Sequence, residues 1–302
     1  SLINTKGEIL ATDTESSSNL ITLGKGCAFH KKNNTFTLLN DKGATVAEFN
    51  NFTRVIECND GFALVDNVVE SINGTQHFLG VLNHTGNWEY PLTEIDAPIM
   101  TGSNSASAAN GVFLIDVESP NMQVDGLHYL HLNIKTKTLT YLNDIDYGGE
   151  YNGVTIFSTN SSSTISNSYN ATKVTTLEKD SVYSLFPDGS YKKQCAVDEL
   201  FQKHHVSCGE NKIALKKENH VEIFDVVTQQ TIVYDDYESS LINTITFKDG
   251  YGFITLSRQD GVKFFTLINE NGEELFSPIL YNSSTSTLRS FGCALNHSGD
   301  NP

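Results

Sequence analysis

The residues able to do chemistry stand in a few short stretches. "HHVSC" brings His204, His205 and Cys208 together, the closest approach to a metal cluster in the chain. Neighbouring residues of a strand point to opposite faces, so His204 and His205 are poorly placed to share one ion. The same holds for His128 and His131 in "HYLH". "NDIDYGGEYNG" (143–153) spaces Asp144, Asp146 and Glu150 around glycines. Carboxylates in a glycine loop can wrap calcium, a hard ion that takes six to eight oxygens. These three are therefore the candidate ligands of a structural Ca2+, against the alternative of a solvated loop; their order is not that of an EF-hand. "YDDYES", with Asp235, Asp236 and Glu238, is a weaker version of the same pattern.

Candidate ligand contacts are the only tryptophan, Trp88, together with Tyr147 and Arg289. Trp88 follows a turn directly and reads either as packing between sheets or as an exposed stacking platform for a sugar. Glycoside hydrolysis needs two carboxylates at a defined separation, and a sialidase needs an arginine cluster with a tyrosine nucleophile. The chain has three arginines, Arg54, Arg258 and Arg289, without the Ser-x-Asp-x-Gly-x-Thr-Trp boxes of sialidases. It holds no Gly-x-Ser-x-Gly elbow and no phosphate loop.

The formal charge of −16 over 302 residues repels phosphate backbones, so nucleic acid is excluded as a partner. No run of 18 apolar residues occurs, so no helix is expected to span a membrane. The five cysteines, Cys27, Cys58, Cys195, Cys208 and Cys293, include no CxxC pair. They read mainly as small buried hydrophobes, with room for one disulfide in an oxidising compartment. The chain starts at Ser1 within a strand-like pattern, which leads us to expect a processed or a trimmed chain, from which any targeting segment has gone. Asn-X-Ser/Thr sequons stand at Asn33, Asn51, Asn73, Asn83, Asn160, Asn170, Asn282 and Asn296, close to the number chance supplies in so Asn- and Ser-rich a chain.

Turns organise the rest. Apolar or alternating strands flank turns at Gly7, Gly43, Gly86, Lys137, Gly189, Gln229 and Gly272, in hairpins spanning 2–13, 36–49, 78–92, 129–144, 182–197, 221–236 and 264–279. Asp41-Lys42-Gly43, Asp188-Gly189 and Asn271-Gly272 supply residues that tolerate positive φ. The turns recur about every 44 residues, the period of propeller blades. Between the hairpins lie short apolar bursts, such as "DGFALVDN" (60–67), "NGVFLIDV" (110–117) and "DGYGFITL" (249–256). Each unit thus has two inner strands and an outer hairpin, which is one four-stranded blade. The chain opens on an outer hairpin and closes on inner strands, and pairing the two removes both open edges. The expectation is one all-β domain over 1–302, a seven-bladed β-propeller of four-stranded antiparallel blades, closed by a composite blade of 1–13 with 287–302. The stretches 158–173 and 100–110 read as polar loops on a rim.

"FLGVLNHTGNWEYPLTEI" (78–95), "FFTLINENGEELFSPI" (264–279) and "DGFALVDN" resemble the WG-type repeats of bacterial proteins. That resemblance implies a surface or envelope protein that binds something, with no shared catalytic residues to transfer. The expected function is non-catalytic binding of a protein or glycan by a monomeric extracellular or cell-envelope protein. The alternatives are a carbohydrate-active propeller enzyme, hydrolase or lyase, and a structural module of a larger surface protein.

Overall fold

The computed structural model describes residues 2–3, 9–11, 20–24, 27–40, 42–59, 61–72, 74–100, 106–118, 127–168, 174–202, 206–218, 220–235, 241–258 and 260–281. The fold is all-β: among these residues the only helical element is a 3-10 turn at Val197–Glu199. Every named strand pair is antiparallel and most join neighbours in sequence. The chain divides into two compact units, Ser1–Lys193 and Gln194–Pro302.

In the first unit, β1 (Leu2–Ile3) pairs with β2 (Ile9–Ala11). A four-stranded meander follows: β3 (Leu20–Gly24), β4 (Cys27–Lys32), β5 (Thr35–Leu39) and β6 (Thr45–Phe49). The next is β7 (Arg54–Asn59), β8 (Phe62–Ser71), β9 (Gly74–Asn83) and β10 (Trp88–Ile95). An eight-stranded sheet then holds β11 (Ala106–Ala109), β12 (Val112–Asp116), β13 (Leu127–Asn133), β14 (Thr138–Tyr151), β15 (Val154–Ser166), β16 (Thr175–Thr176), β17 (Ser181–Leu185) and β18 (Tyr191–Ala196). The boundary between the units falls inside β18. The second unit contains a three-stranded sheet, β19 (Lys212–Lys216), β20 (His220–Asp225) and β21 (Thr231–Asp235). Beside Leu215 of β19 a single bridge brings in Leu200. Its other sheet is four-stranded: β22 (Leu241–Lys248), β23 (Tyr251–Ser257), β24 (Lys263–Ile268) and β25 (Ile279–Tyr281).

The expected hairpins form with turns at Gly43, Gly86, Lys137, Gly189, Gln229 and Gly272, while the Gly7 turn lies outside the described residues; the apolar bursts among the described residues become β4, β8, β12, β15, β19 and β23. The sheets do not all have four strands, however, and the eight-stranded one departs furthest. Its strands β14 and β15 are long because each serves two partners. Tyr141 to Asn143 pair with Ser166 to Thr164, while Tyr147 to Tyr151 pair with Ser158 to Val154. Register breaks on both sides of Ile145, where Asp144 has a φ of 54°. A bulge of this kind bends a strand and sharpens its twist. "NDIDYGGEYNG", read as a loop, is therefore mostly strand, and the polar stretch from 158 continues as β15 to Ser166. Threonine and serine suit an edge of this kind, and the polar composition misled the loop reading.

Most turns share a device. The side-chain oxygen of Asn40 accepts from the N–H of Lys42 and Ala44, and Asn83 does the same for Thr85 and Asn87. Asn133 serves Lys135 and Thr136, Asp225 serves Val227 and Thr228, and Asn269 serves Asn271 and Glu273. Each side chain replaces a backbone acceptor and so fixes the hairpin's loop length.

The cores lie between faces of successive sheets. Phe29, Phe36 and Leu38 pack with Val55, Ala63, Val65 and Leu82. On the other side Leu64, Leu79 and Val81 meet Phe113, Ile115, Leu130 and Leu132. Strand β12 is buried on both faces, which is why it reads as an unbroken apolar run. In the second unit Ile223, Ile245, Ile254, Leu256 and Ile268 form one cluster. Each such fully buried aliphatic or aromatic side chain contributes about 1.5–3 kcal/mol of transfer free energy.

Candidate functional site

Trp88 opens β10, one residue after the Gly86 turn pair, and is half-buried. Its indole meets Phe49 and Phe52 edge-on, at centroid distances of 6.3 and 6.4 Å and interplanar angles of 73° and 89°. These are favourable quadrupole geometries. The ring also lies over Gly80 on the neighbouring strand, where a Cβ would approach Trp88 Cζ3 to 2.6 Å. The structure thus places Trp88 in the packing between β5–β6 and β9–β10. Tyr147 sits on β14 in register with Ser158. Arg289 lies outside the described residues.

The three candidate calcium ligands share β14 but take separate partners. Asp144 Oδ1 lies 3.3 Å from His128 Nε2. Asp146 Oδ1 accepts from the amide of Asn160 at 3.0 Å, and Glu150 Oε1 accepts from the N–H of Gly153. Burial raises the Asp144 carboxyl above its ordinary range, an effect partly offset by His128. Among the described residues no three His, Cys, Asp or Glu side chains converge as a metal site. His204, His205, Asp236 and Glu238 lie outside the described residues, as does the expected closing segment 287–302.

The bulge at Asp144 is held by a polar cluster. His128 is buried, and its Nδ1 accepts from the Asp144 N–H at 3.4 Å. Ser163 Oγ donates to the Asp144 carbonyl at 2.5 Å and accepts from the Asn160 N–H at 2.8 Å. Alternation along β13 already keeps His128 and His131 from sharing an ion, but the register shift between Leu127 and Tyr129 and the contact of His128 with Asp144 depend on β14 and leave no mark in "HYLH" itself.

A second charged group was not singled out at all. Asp66, at the end of the apolar run of β8, is 2% exposed. Arg54 on β7 grips its Oδ2 through Nε at 3.1 Å and Nη2 at 2.6 Å, and donates Nη1 to the Met100 carbonyl at 3.3 Å. Thr53 Oγ1 adds a contact to the Asp66 carbonyl at 3.3 Å. Burial raises the carboxyls of Glu57 on β7 and Asp116 on β12 above their ordinary range. Arg54 and Glu57 lie on the first strand β7, Asp66 and Asp116 on the second strands β8 and β12; β3 packs on β7, β7 on β11 and β11 on β14.

Cys58 is disulfide-bonded, within the room for one disulfide that the sequence left. Cys195 and Cys208 are buried thiols. Of the sequons, Asn33 and Asn51 are exposed. Asn83 donates its amide to Glu89 at 2.7 Å and Asn160 donates to Asp146; Asn73, Asn170, Asn282 and Asn296 lie outside the described residues. No described helix is long and apolar enough to cross a membrane.

No family model matches the chain, and no curated protein matches its sequence. Among solved structures it is similar to the β-propeller domain of the Trilobed protease from Pyrococcus furiosus, at 14% identity over 85% of this chain and 81% of that one, with a TM-score of 0.33. It is similar to a post-proline cleaving enzyme from Rickettsia typhi at 12% identity over 84% of this chain, with a TM-score of 0.39, and spans 43% of that enzyme. Acylaminoacyl peptidase from Pyrococcus horikoshii gives 11% identity, coverage of 88% and 46%, and a TM-score of 0.35. The chain's own geometry is that of an all-β protein of antiparallel meanders, with the buried Asp66 carboxylate of β8 held by Arg54 of β7.

Proposed function

We propose that the chain is a seven-bladed β-propeller acting as a non-catalytic binding module of an extracytoplasmic protein, its protein or glycan ligand seated on one rim or at the channel mouth. The observation that carries this reading is the side-by-side packing of β3, β7 and β11, each the first strand of its sheet, with β14 next to β11. First strands arranged this way are what a set of blades around an axis requires. In this reading the eight-stranded sheet counts as two blades, with the second half of β14 opening the next one. The single bridge of Leu200 to Leu215 of β19 lies on the side of the three-stranded sheet where a fourth strand of the blade would pair. The disulfide at Cys58 favours an oxidising compartment. A site on first strands and connecting loops presents preformed groups without moving the scaffold.

Thermal melting of the purified protein with calcium and with a panel of soluble glycans tests the binding reading. A ligand specific for the folded state raises the midpoint by mass action, by about 2.7 kcal/mol at a hundredfold excess over Kd. A saturable shift with one glycan names the ligand class. No shift with any of them refutes a glycan ligand and leaves the protein ligand as the reading.

A further inference from the structure

His131 sits at the centre of β13 and is 0% exposed, and neither ring nitrogen has a hydrogen-bond partner. Its in-register neighbours are Leu114 on β12 and Thr140 on β14. What covers it follows from the residues on either side. Two positions earlier, Tyr129 packs into the cluster of Phe157, Tyr183 and Leu185, and both Tyr129 and Phe157 flank Gly148. Two positions later, Asn133 donates its amide to the Pro187 carbonyl at 2.5 Å. Residues 129, 131 and 133 therefore run alongside 183, 185 and 187. That sets His131 opposite Leu185 and its strand partner Thr155, which is itself 0% exposed with an unpartnered hydroxyl. The eight-stranded sheet folds at the Asp144 bulge, and His131 lies in the joint where its two halves face each other.

The charged and titratable groups on the elements around the ring are Asp116 on β12, His128 and Tyr129 on its own strand, Tyr141, Asp144, Asp146, Tyr147, Glu150 and Tyr151 on β14, Tyr183 on β17 and Asp188 in the following turn; His128 and Asp144 lie against each other at the bulge. None of them hydrogen-bonds to the imidazole. A neutral ring fits this apolar joint, but an imidazolium without a partner carries the full cost of a buried charge.

We propose that this joint is an acid-operated latch: neutral His131 lets the two halves of the sheet close, and its protonation parts them along β13 and β17. Opening gives the proton water to bind in and uncovers the Phe157, Tyr183 and Leu185 face. Burial lowers the His131 pKa from 6.5 to about 4. The closed state thus binds fewer protons than the open one, and closure weakens as pH falls from 6.5 toward 4. Between pH 7 and 4.5 the opening equilibrium rises by roughly fiftyfold on these values.

Hydrogen exchange read by mass spectrometry tests this, with exchange times scaled for the intrinsic pH effect. In the wild type, peptides spanning 127–133, 154–159 and 181–187 should lose protection at pH 4.5 by more than tenfold. Peptides from β8–β9 and β23–β24 should keep theirs. His131→Leu, or His131→Gln should the leucine variant not fold, should hold the joint closed at both pH values. Undiminished protection in the wild type at pH 4.5, loss spread evenly over the chain, or the same local loss in the His131 variant would each overturn the proposal.

Discussion

Replacing Gly80 by alanine probes the contact that defines the role of Trp88. Gly80 does not have a left-handed φ, so alanine can adopt its backbone conformation. In open space the change would stabilise by about 0.4–1 kcal/mol through the unfolded chain. Here the new Cβ meets Trp88 Cζ3 at 2.6 Å, Leu92 Cδ2 at 3.2 Å and the Leu92 backbone nitrogen at 3.3 Å. Ordinary carbon contacts sit near ~3.5–4.0 Å, so the indole must shift by about 1 Å. Phe49 and Phe52 stand edge-on against that ring and resist the shift. Overpacking of this kind costs about 1–3 kcal/mol. Trp88→Ala should itself cost about 2 kcal/mol, below the value for a fully buried tryptophan because the ring is half-exposed. In the Trp88→Ala background, Gly80→Ala should become neutral or slightly stabilising. The coupling between the two sites should therefore reach about 1–3 kcal/mol in urea unfolding of the four proteins. An equal cost of Gly80→Ala in both backgrounds would refute the packing argument and free Trp88 for a surface role.

Arg54→Met should destabilise by about 3 kcal/mol, because it strands the Asp66 carboxylate in a buried site. Adding Asp66→Asn should recover part of that loss in the same unfolding assay, and failure to recover any would show that the charge was not the cause. Burial pushes the Cys208 thiol up to about 12. Peptide mapping after iodoacetamide at pH 8 should find Cys208 unmodified in folded protein and fully modified in denaturant; rapid labelling of the folded protein would contradict the buried position. Removing the Cys58 disulfide, by reduction or by Cys58→Ser, should cost about 2–4 kcal/mol. The two perturbations should give matching melting temperatures, and a large difference would mean that reduction acts elsewhere.

Local signals carried the fold far. Glycine and asparagine turns located nearly every hairpin, since a positive φ at Gly43, Gly86, Gly189 and Gly272 leaves few other residues suitable. The apolar bursts marked strands, buried on both faces in β12 and β15 and alternating in β23. The long reach of β14 and β15 was not legible, because a bulge at Asp144 depends on partners more than ten residues away. The polar turn device was visible in part: Asn40, Asn83 and Asn269 each stand three residues before a turn glycine. Asn133 and Asp225 lack that glycine and hide the pattern.

The site was less legible than the scaffold. Three carboxylates close in sequence went to three different partners: alternation alone would line 144, 146 and 150 along one face, but the register breaks on either side of Ile145 interrupt it. Arg54 and Asp66 looked unrelated across twelve positions, yet antiparallel pairing of β7 and β8 makes them direct neighbours. Composition cannot supply that kind of information, since it follows from register alone.

The shared strands β14 and β15 also bear on how such a chain can change over generations. A meander with its own separate sheet can be copied or lost as a block, because the cut falls in a connecting loop. Where one strand belongs to two meanders, no such cut exists: removing either half leaves the other without an edge. Repeat gain and loss should therefore be confined to the junctions on either side of residues 106–196, and this stretch should be inherited as a single piece.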